Sequence, residues 1–245
     1  MEETKDIVII MPLFNEGSTI KKTLEIWIDV LETLKLNYRI EIYNDGSNDN
    51  SEQRIEEITD ENSNVFLYNC EHKGFSHTLF FAYKNSYDAE YVFHADSDTD
   101  INPNEFKKIW NERYKADLII GYRQNRSQSK LRQIATKCSC LFISFLFNNF
   151  KITVKDMNTP FKLIKKTLLN DFLNTINETF PFPDLFLCAY CLEKKVNIEE
   201  IPILFSNSKK QGYLDKKIFL LKAISQTAYN IFIYKIKIIN VLIKN

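Results

Sequence analysis

Three aspartates at alternate positions, Asp96, Asp98 and Asp100, directly follow the apolar run YVFHA. Carboxylates placed this close repel one another unless a positive charge or solvent offsets the repulsion. Two carboxylates one residue apart can face a divalent cation, which could bridge a diphosphate and neutralise charge on a leaving group. The alternative is an acidic turn leading into a helix that Asn102 and Pro103 would open. The dipole of one helix does not account for all three acids.

Three further polar segments each follow or end a strand-like run. They are PLFNEG at 12–17, NDGSND at 44–49 and EHKG at 71–74. Asn44 and Asp45 are suited to bind a nucleobase or ribose edge, and the alternative is that they cap the following turn. Lys73 offers a charge for a phosphate and Gly74 permits close backbone approach; the alternative is a surface lysine before a helix.

Strand-like and helix-like runs alternate through the first half of the chain, which predicts an α/β fold with a doubly wound, mostly parallel sheet. Ligands of such sheets lie beyond the carboxyl ends of the strands, so the polar segments are expected to surround one crevice. Ser18 is the predicted N-cap of the first helix. The predicted strands are 7–14, 38–43, 65–69, 90–95, 117–123 and 197–205. The predicted helices are 18–34, 51–59, 75–87 and 184–194, with an amphipathic region at 130–147.

The composition excludes some classes of protein. The 245 residues carry 32 basic and 32 acidic side chains, so net charge gives no argument for nucleic-acid binding. The five cysteines, an odd number without an export signal, indicate a reducing cytosol. Cys188 and Cys191 lie in the apolar run LFLCAYCL and are interpreted as core residues of a helix. No run of about 18 uncharged apolar residues exists, so no membrane span is predicted.

The four polar segments, in this order, resemble the motifs of glycosyltransferase family 2. Its P-x-[YF]-N-E motif reads PLFNE at 12–16, its D-D-G-S-x-D motif reads NDGSND at 44–49, its lysine–glycine turn is Lys73-Gly74, and its D-x-D motif reads DSD at 96–98. Later segments look like the dolichol-phosphate mannose synthase branch of the family. They are GYR at 121–123, LRQ at 131–133, DMNTPFK at 156–162 and IPI at 201–203.

The resemblance covers roughly residues 5–215 and implies the GT-A fold. A Rossmann-like nucleotide half would span about 1–122, an acceptor half about 123–212, and a basic amphipathic helical tail 213–245. The implied activity is an inverting, metal-dependent transfer of sugar from a UDP or GDP sugar. The implied acceptor is a lipid-linked polyprenyl phosphate or a surface glycan of the cell envelope.

The resemblance also implies roles for individual residues. Those implied in nucleotide-sugar binding are Pro12, Phe14, Glu16, Asn44, Asp45, Lys73, Gly74 and Asp96. Asp96 and Asp98 would hold Mg²⁺ or Mn²⁺, and Arg123 would face the diphosphate or the acceptor; Asp98 and Arg123 are thereby implied to be catalytic. Arg132, Lys209 and Lys210 are the implied acceptor-binding residues. Asn44 departs from the family pattern, since an aspartate usually stands there.

Asp184 is the candidate general base. A hydroxyl acceptor needs a base, and Asp184, in the segment PDLF, occupies a place comparable to the aspartate of the E-D-x-x-L pattern in the sugar-hydroxyl branch. The alternative is that Asp184 only caps the helix that follows. A polyprenyl phosphate would already be anionic and would need no base, so the cations would then matter more.

The tail from residue 213 carries six lysines and one acid. Its apolar positions fall on one helical face and predict a helix that binds an anionic membrane surface; they are Leu220, Ile224, Ile231, Tyr234, Ile238 and Leu242. The alternative is a helix packed on the domain or on a second copy in a homodimer. The expected location is cytoplasmic, at the inner face of the cell membrane if the tail binds lipid.

Two competing functions remain open at this point. A non-catalytic nucleotide-sugar binding protein would keep Asp45 but lose the metal acids, whereas Asp96 and Asp98 are both present. A nucleotidyltransferase would have a glycine-rich loop containing arginine after the first strand, and PLFNEG does not match it.

Overall fold

Strands and helices alternate along the chain, as the sequence predicts. The structure is a computed structural model that describes residues 4–124, 130–148, 154–176, 183–206 and 229–235. The strands are β1 (Lys5–Leu13), β2 (Tyr38–Asn44), β3 (Val65–Asn69), β4 (Ala89–Ala95), β5 (Leu118–Gln124), β6 (Phe161–Lys165) and β7 (Ile198–Leu204). The helices are α1 (Ile20–Thr33), α2 (Ser51–Thr59), α3 (Phe75–Asn85), α4 (Phe106–Asn111), α5 (Lys130–Asn148), α6 (Lys166–Thr175) and α7 (Pro183–Lys194), with a short 3₁₀ helix at Pro103–Glu105 before α4.

The seven described strands form one sheet in the order β3-β2-β1-β4-β6-β5-β7. All neighbouring pairs are parallel except the two that involve β6, so six strands run in one direction. The predicted doubly wound, mostly parallel sheet is therefore confirmed. Because β2, β1 and β4 are adjacent and parallel, the segments that follow them emerge at one edge of the sheet.

Strand β1 shows why the sheet is buried on both faces. Alternate side chains point to opposite faces of a strand. Val8 and Ile10 belong to the core on one face, with α3, α5 and α7, while Ile7, Ile9 and Met11 belong to the core on the other, with α1 and α4. A strand covered on both faces needs a continuous apolar run, and IVIIMPL supplies it.

The sequence analysis predicted neither helix α6 nor strand β6, and β6 is the one that matters for the site. It runs antiparallel between β4 and β5, pairing Ala95 with Phe161 and His94 with Lys162. Its five residues, FKLIK, carry two lysines and give little strand signal on their own. The pairing places the segment before β6 at the same sheet edge as the carboxyl end of β4, so this segment also contributes to the crevice.

Two details of the helices differ from prediction or confirm it. Helix α1 begins at Ile20, so the N-cap position belongs to Thr19 and the prediction of Ser18 as the N-cap is wrong. The Thr19 hydroxyl donates to the Glu16 carboxylate. Cys188 and Cys191 are buried in α7, as predicted, and burial raises the pKa of both thiols.

The tail is described only at 229–235, where it is helical. Tyr234 packs edge-on against Phe186 of α7, with ring centroids 4.8 Å apart, and lies 6.2 Å from Phe147 of α5. Ile231 and Tyr234, two members of the predicted apolar stripe, are thus buried against the domain. For this turn of the tail the packing alternative is confirmed; the other stripe residues lie outside the described residues. Within the described ranges, no helix combines the length and apolarity needed to cross a membrane.

Candidate active site

The loops that follow β1 and β2 form one hydrogen-bonded unit. The Asn15 N–H donates to the Ser47 hydroxyl over 2.9 Å, and the Asn48 N–H donates to the Asn15 side chain, also over 2.9 Å. The Gly17 N–H donates to the Asp49 carboxylate over 3.0 Å. These bonds satisfy backbone groups that precede α1 and fix the PLFNEG and NDGSND segments to each other. Glu16 and Pro12 are held within this unit, Pro12 as a buried residue of β1.

Asp45 is the buried anchor of the neighbouring turn. Its two carboxylate oxygens accept the backbone N–H groups of Lys73 and Gly74 at 2.9 and 3.0 Å. The imidazole Nδ1 of His72 lies 3.0 Å from the carboxylate and 2.8 Å from the Asp45 carbonyl. Asp45 therefore shapes the turn after β3, and Gly74 has a φ of 88° there, which favours glycine. Nucleobase binding by Asp45 stays a prediction.

Phe14 and His72 form an aromatic pair at the mouth of the crevice. Their rings are stacked with centroids 4.5 Å apart and an interplanar angle of 24°. Phe14 exposes 43% of its surface, and the His72 side chain exposes 58%. Exposed stacked rings offer a platform for a planar ligand. The sequence analysis named Phe14 but missed His72, because only the fold brings the segment after β3 against the loop after β1.

Asn44 links the ends of β2 and β3. Its Nδ2 donates to the Asn69 side-chain oxygen over 2.9 Å, while its own Oδ1 accepts the Ser47 N–H over 3.0 Å. An aspartate, the usual residue of the family pattern, would have no proton to donate to Asn69. The departure from that pattern is thus matched by a local hydrogen bond that requires an amide.

Asp96 and Asp98 lie in the loop at the end of β4. The Asp98 carboxylate accepts the Asp100 N–H over 3.0 Å, and the Asp100 carbonyl accepts the Ser206 N–H over 2.8 Å, which ties this loop to the end of β7. Desolvation, followed by the charge of Asp98, raises the pKa of Asp96 well above its ordinary value. The 3₁₀ helix after the loop is capped by the Asn102 side chain, so the acidic turn does lead into a helix.

The donor set fits a divalent cation that a diphosphate completes. No three acidic, histidine or cysteine side chains converge as a metal site in the described part of the chain. Mg²⁺ is usually held by one or two carboxylates together with substrate phosphates, so a full protein cage is not required. Burial is the main cause that raises the pKa of Asp96, and the charge of Asp98 adds to it; a bound cation would offset this second, repulsive contribution. Asp96 and Asp98 stay the predicted metal ligands.

Arg123, at the end of β5, forms a two-pronged ion pair with buried Asp156. Its Nε and Nη2 lie 2.8 and 3.0 Å from the two Asp156 oxygens, and Nη2 also lies 3.4 Å from the Asn158 carbonyl. The charge of Arg123 lowers the pKa of Asp96, which opposes the effects of burial and Asp98. Arg123 is thus held in place by a buried carboxylate and is electrostatically coupled to the acidic loop.

Asp184 lies at the start of α7 in a buried polar cluster that we call the Asp184 cluster, formed with Tyr83, His94 and Lys162. The Tyr83 hydroxyl donates to Asp184 over 2.8 Å, His94 Nδ1 lies 3.1 Å from its carboxylate, and Lys162 Nζ lies 3.3 Å away. Burial alone would raise the pKa of Asp184, but the charges of His94 and Lys162 and the hydrogen bonds outweigh it and lower that pKa well below its ordinary range.

The Asp184 cluster was not predicted from the sequence. Its members come from α3, β4, β6 and α7 and are separated by up to about a hundred residues along the chain. The sequence signal was weak: it consisted of a histidine near the end of the predicted strand 90–95. Asp184 also raises the pKa of Asp96, so the cluster lies close enough to the acidic loop to act on it electrostatically.

The remaining predicted site residues are less well placed by the structure. Lys73 is exposed and forms an ion pair of 2.7 Å with its neighbour Glu71. Arg132 belongs to the first turn of α5, but its side chain is outside the described part. Lys209 and Lys210 lie outside the described residues. The roles of these residues stay predictions.

The strand order and the acidic loop at the end of β4 define a class of protein, the GT-A glycosyltransferases. Residues 8–173 match the family model described as Glycosyl transferase family 2. The chain belongs to that family, as the motifs indicate.

A relative from Proteus mirabilis (strain HI4320) is similar over part of the chain. It is the undecaprenyl-phosphate 4-deoxy-4-formamido-L-arabinose transferase, 26% identical over 138 residues. The match covers 56% of this chain and 42% of the relative, so the chain spans less than half of that protein's length.

Solved structures share the fold at low sequence identity. The glucosyl-3-phosphoglycerate synthase of Mycobacterium tuberculosis in complex with Mn²⁺, UDP and phosphoglyceric acid has a TM-score of 0.67 at 13% identity, covering 94% of this chain and 78% of that one. A mannosyltransferase of Pyrobaculum calidifontis in complex with GDP-Man and Mn²⁺ has a TM-score of 0.58 at 15% identity, covering 92% of this chain and 64% of that one.

Proposed function

We propose that this enzyme transfers a sugar, with inversion, from a UDP or GDP sugar to a polyprenyl phosphate at the inner face of the cell membrane. The nucleotide half would be residues 1–122 and the acceptor half 123–212. The relative named for an undecaprenyl-phosphate substrate supports this acceptor class, and the neighbours bound to UDP or GDP-Man support the donor class.

The state of Asp184 is the observation that favours a phosphate acceptor over a hydroxyl. A general base must accept a proton near neutral pH, and its ideal pKa lies close to the working pH. Asp184 is instead paired with Lys162 and His94, and its pKa is lowered. A phosphate oxygen needs no deprotonation, so an enzyme without an available base can still use it. We infer that Asp184 is a positioning residue that fixes the buried side chains beneath the site.

Each part of the site then has a role consistent with its geometry. The Phe14–His72 pair would support the nucleobase, and the Asp45 turn would present backbone groups beside it. Asp96 and Asp98 would hold Mg²⁺ or Mn²⁺, which when bound neutralises charge on the diphosphate leaving group. Arg123 would orient the acceptor phosphate from its fixed position on Asp156.

An acceptor comparison tests this proposal. Purified enzyme is given Mn²⁺, a panel of UDP and GDP sugars, and either undecaprenyl phosphate or undecaprenol, and the lipid-linked product is measured. We expect transfer to the phosphate, with no product from the alcohol and none in the presence of EDTA. Transfer to the alcohol or to a glycan hydroxyl, with none to the phosphate, would contradict the acceptor assignment.

The Asp184→Asn variant separates a positioning role from general-base catalysis. Loss of a general base lowers kcat by about 10²–10⁴-fold. We expect a decrease in kcat below this range, with kcat calculated from the concentration of enzyme that binds donor. The dependence of kcat on pH above neutrality should be unchanged. A decrease within the general-base range, in a variant that still binds donor, would restore Asp184 as the base and with it a hydroxyl acceptor.

A further inference from the structure

The outer face of α5 carries a row of exposed apolar side chains. Ile134, Leu141, Phe142 and Phe145 expose 57, 50, 41 and 51% of their surface, and Cys138 between them is also exposed. At about 100° per residue these five positions fall within one arc roughly 100° wide. We call them the α5 apolar face. The opposite side of the helix enters the core through Cys140, Ile143 and Phe147.

The tail segment 229–235 lies beside this helix and adds to the exposed apolar area. Lys235 Nζ donates to the Leu146 carbonyl, and Tyr234 contacts Phe147, so the segment packs at the carboxyl end of α5. Its other side presents Tyr229 and Phe232, which expose 62 and 54% of their surface. Soluble monomers rarely expose contiguous apolar patches of this kind, so a partner is expected to cover them.

Charge identifies the kind of partner. Helix α5 contains three basic residues and no acid, and residues 213–245 contain six lysines and one acid. Because the chain as a whole is neutral, the rest of the protein is net acidic. An apolar helix face in a basic setting is typical of helices that lie in the interface of an anionic bilayer. In a twofold dimer the same basic elements would oppose each other, which disfavours a second copy as the partner.

The α5 apolar face belongs to the acceptor side of the enzyme. Helix α5 follows β5, whose carboxyl end carries Arg123. In its middle, the Cys140 thiol contacts the Lys155 carbonyl at 3.8 Å, next to Asp156, the ion-pair partner of Arg123. A membrane that covers α5 would therefore lie beside the part of the site where a lipid phosphate would enter.

We infer that the α5 apolar face, together with Tyr229 and Phe232, docks on an anionic lipid surface. The surface faces the acceptor side, so docking would bring lipid headgroups to the site. This orientation rests on the proposed polyprenyl-phosphate acceptor, whereas the docking itself rests only on exposure and charge.

A fluorophore on Cys138 tests the docking without reference to catalysis. An environment-sensitive dye is attached to Cys138 in a Cys70→Ser background, and vesicles of phosphatidylcholine with or without phosphatidylglycerol are added. We expect a blue shift with the anionic vesicles. The matched control carries the dye at Tyr114→Cys in a Cys70→Ser, Cys138→Ser background, because Tyr114 is 75% exposed and precedes β5 at the opposite sheet edge. No shift at Cys138, or an equal shift at both positions, would overturn the inference.

A variant that places acidic side chains on the α5 apolar face provides the second measurement. We expect Phe142→Asp combined with Phe145→Asp to reduce binding to anionic vesicles in a sedimentation assay by at least about tenfold, since two aromatic rings that docking would bury are replaced by charges that the anionic surface repels. Tyr114→Asp should bind as the wild type does, and thermal unfolding verifies that each variant is folded. Unchanged binding by the double variant would overturn the inference. So would concentration-dependent dimerisation without vesicles that the double variant abolishes, because the face would then contact a second copy. Transfer to a hydroxyl acceptor would contradict the proposed function but leave the vesicle result intact.

Discussion

Aromatic and acidic side chains divide the work of binding at the scale of single residues. Phe14 and His72 are exposed at the crevice mouth. Asp45, which contacts His72, is buried and already accepts hydrogen bonds from two backbone N–H groups. A carboxylate held in this way shapes the loop, and the exposed rings are the proposed contact for the planar part of a ligand. The acids at the end of β4 are the groups suited to a metal.

Phe14→Ala is expected to weaken binding of UDP and GDP by about tenfold, since stacking of a base on an aromatic ring contributes about 1–3 kcal/mol. Calorimetry in the presence of Mn²⁺ measures the affinity. Phe81→Ala is the control, because Phe81 is exposed to a similar degree (40%) but lies in the second half of α3. Equal affinities for the Phe14 variant and the wild type would show that the ring pair is not the nucleobase platform.

Asp98→Asn is expected to lower kcat by about a hundredfold or more, because the carboxylate is a predicted metal ligand and a metal contributes several kcal/mol to stabilising the leaving group. Binding of UDP or GDP should at the same time lose most of its dependence on Mn²⁺. Asp117→Asn removes an exposed acid at the opposite sheet edge and should change neither quantity. An Asp98→Asn enzyme with full Mn²⁺-dependent binding would exclude Asp98 as a ligand.

Asp184→Asn is expected to lower the free energy of unfolding by about 3–5 kcal/mol at neutral pH, because it leaves Lys162 buried without its counter-charge. The pKa of Asp184 is lowered in the folded state, so its contribution is present above the ordinary pKa of about 3.9 and is lost as the pH falls towards the folded value. The difference between variant and wild type should therefore shrink near pH 3.

Denaturant unfolding at the two pH values measures this difference, with Asp29→Asn, an exposed acid of α1, as the control that changes stability by less than about 0.5 kcal/mol. If Asp184→Asn is as stable as the wild type at neutral pH, the Asp184 cluster does not hold the fold together.

At the scale of elements, the site depends on how loops from different strands fix one another. The loops after β1 and β2 share hydrogen bonds between backbone and side chains, and β6 brings Lys162 beside His94 of β4. Because β6 runs antiparallel to its neighbours, the segment before it reaches the sheet edge where the parallel strands end. Asp156 enters the site by this route.

Asn44→Asp restores the usual residue of the family motif and is nevertheless expected to destabilise this protein by about 1–2 kcal/mol. The new carboxylate would face the Asn69 oxygen, and turning the Asn69 amide would cost its 2.6 Å bond to Glu52. Thermal or denaturant unfolding measures the change. Asn48→Asp, at an exposed position of the same loop, should be nearly neutral. A stabilised Asn44→Asp variant would show that the link between β2 and β3 contributes nothing.

At the scale of the whole molecule, the described part of the tail is integral to the domain. Ile231 and Tyr234 belong to the same core as α5 and α7. The predicted boundary at residue 212, with 213–245 as a separate tail, therefore stays a proposal. By sequence, residues 213–245 and α5 are both rich in basic residues, whereas the rest of the chain is net acidic.

Tyr234→Ala is expected to lower the free energy of unfolding by about 3 kcal/mol, because it removes a large side chain that is 1% exposed and packs on Phe186. Tyr229→Ala, in the same segment and 62% exposed, should change stability by less than about 0.5 kcal/mol. Denaturant unfolding of the full chain compares the two. Equal stabilities for both variants would mean that the tail segment does not pack on the domain in solution.

The sequence by itself determined the alternation of strands and helices, the α/β class and the family, because these follow from local periodicity and from short motifs at strand ends. Tertiary structure alone decided the direction of β6, the pairing of Phe14 with His72, and the Asp184 cluster. In each of these, the residues are far apart in the chain and meet only when the sheet forms. The chemical state of Asp184 followed the same rule, since its neighbours, and not its own motif, set its charge and its pKa.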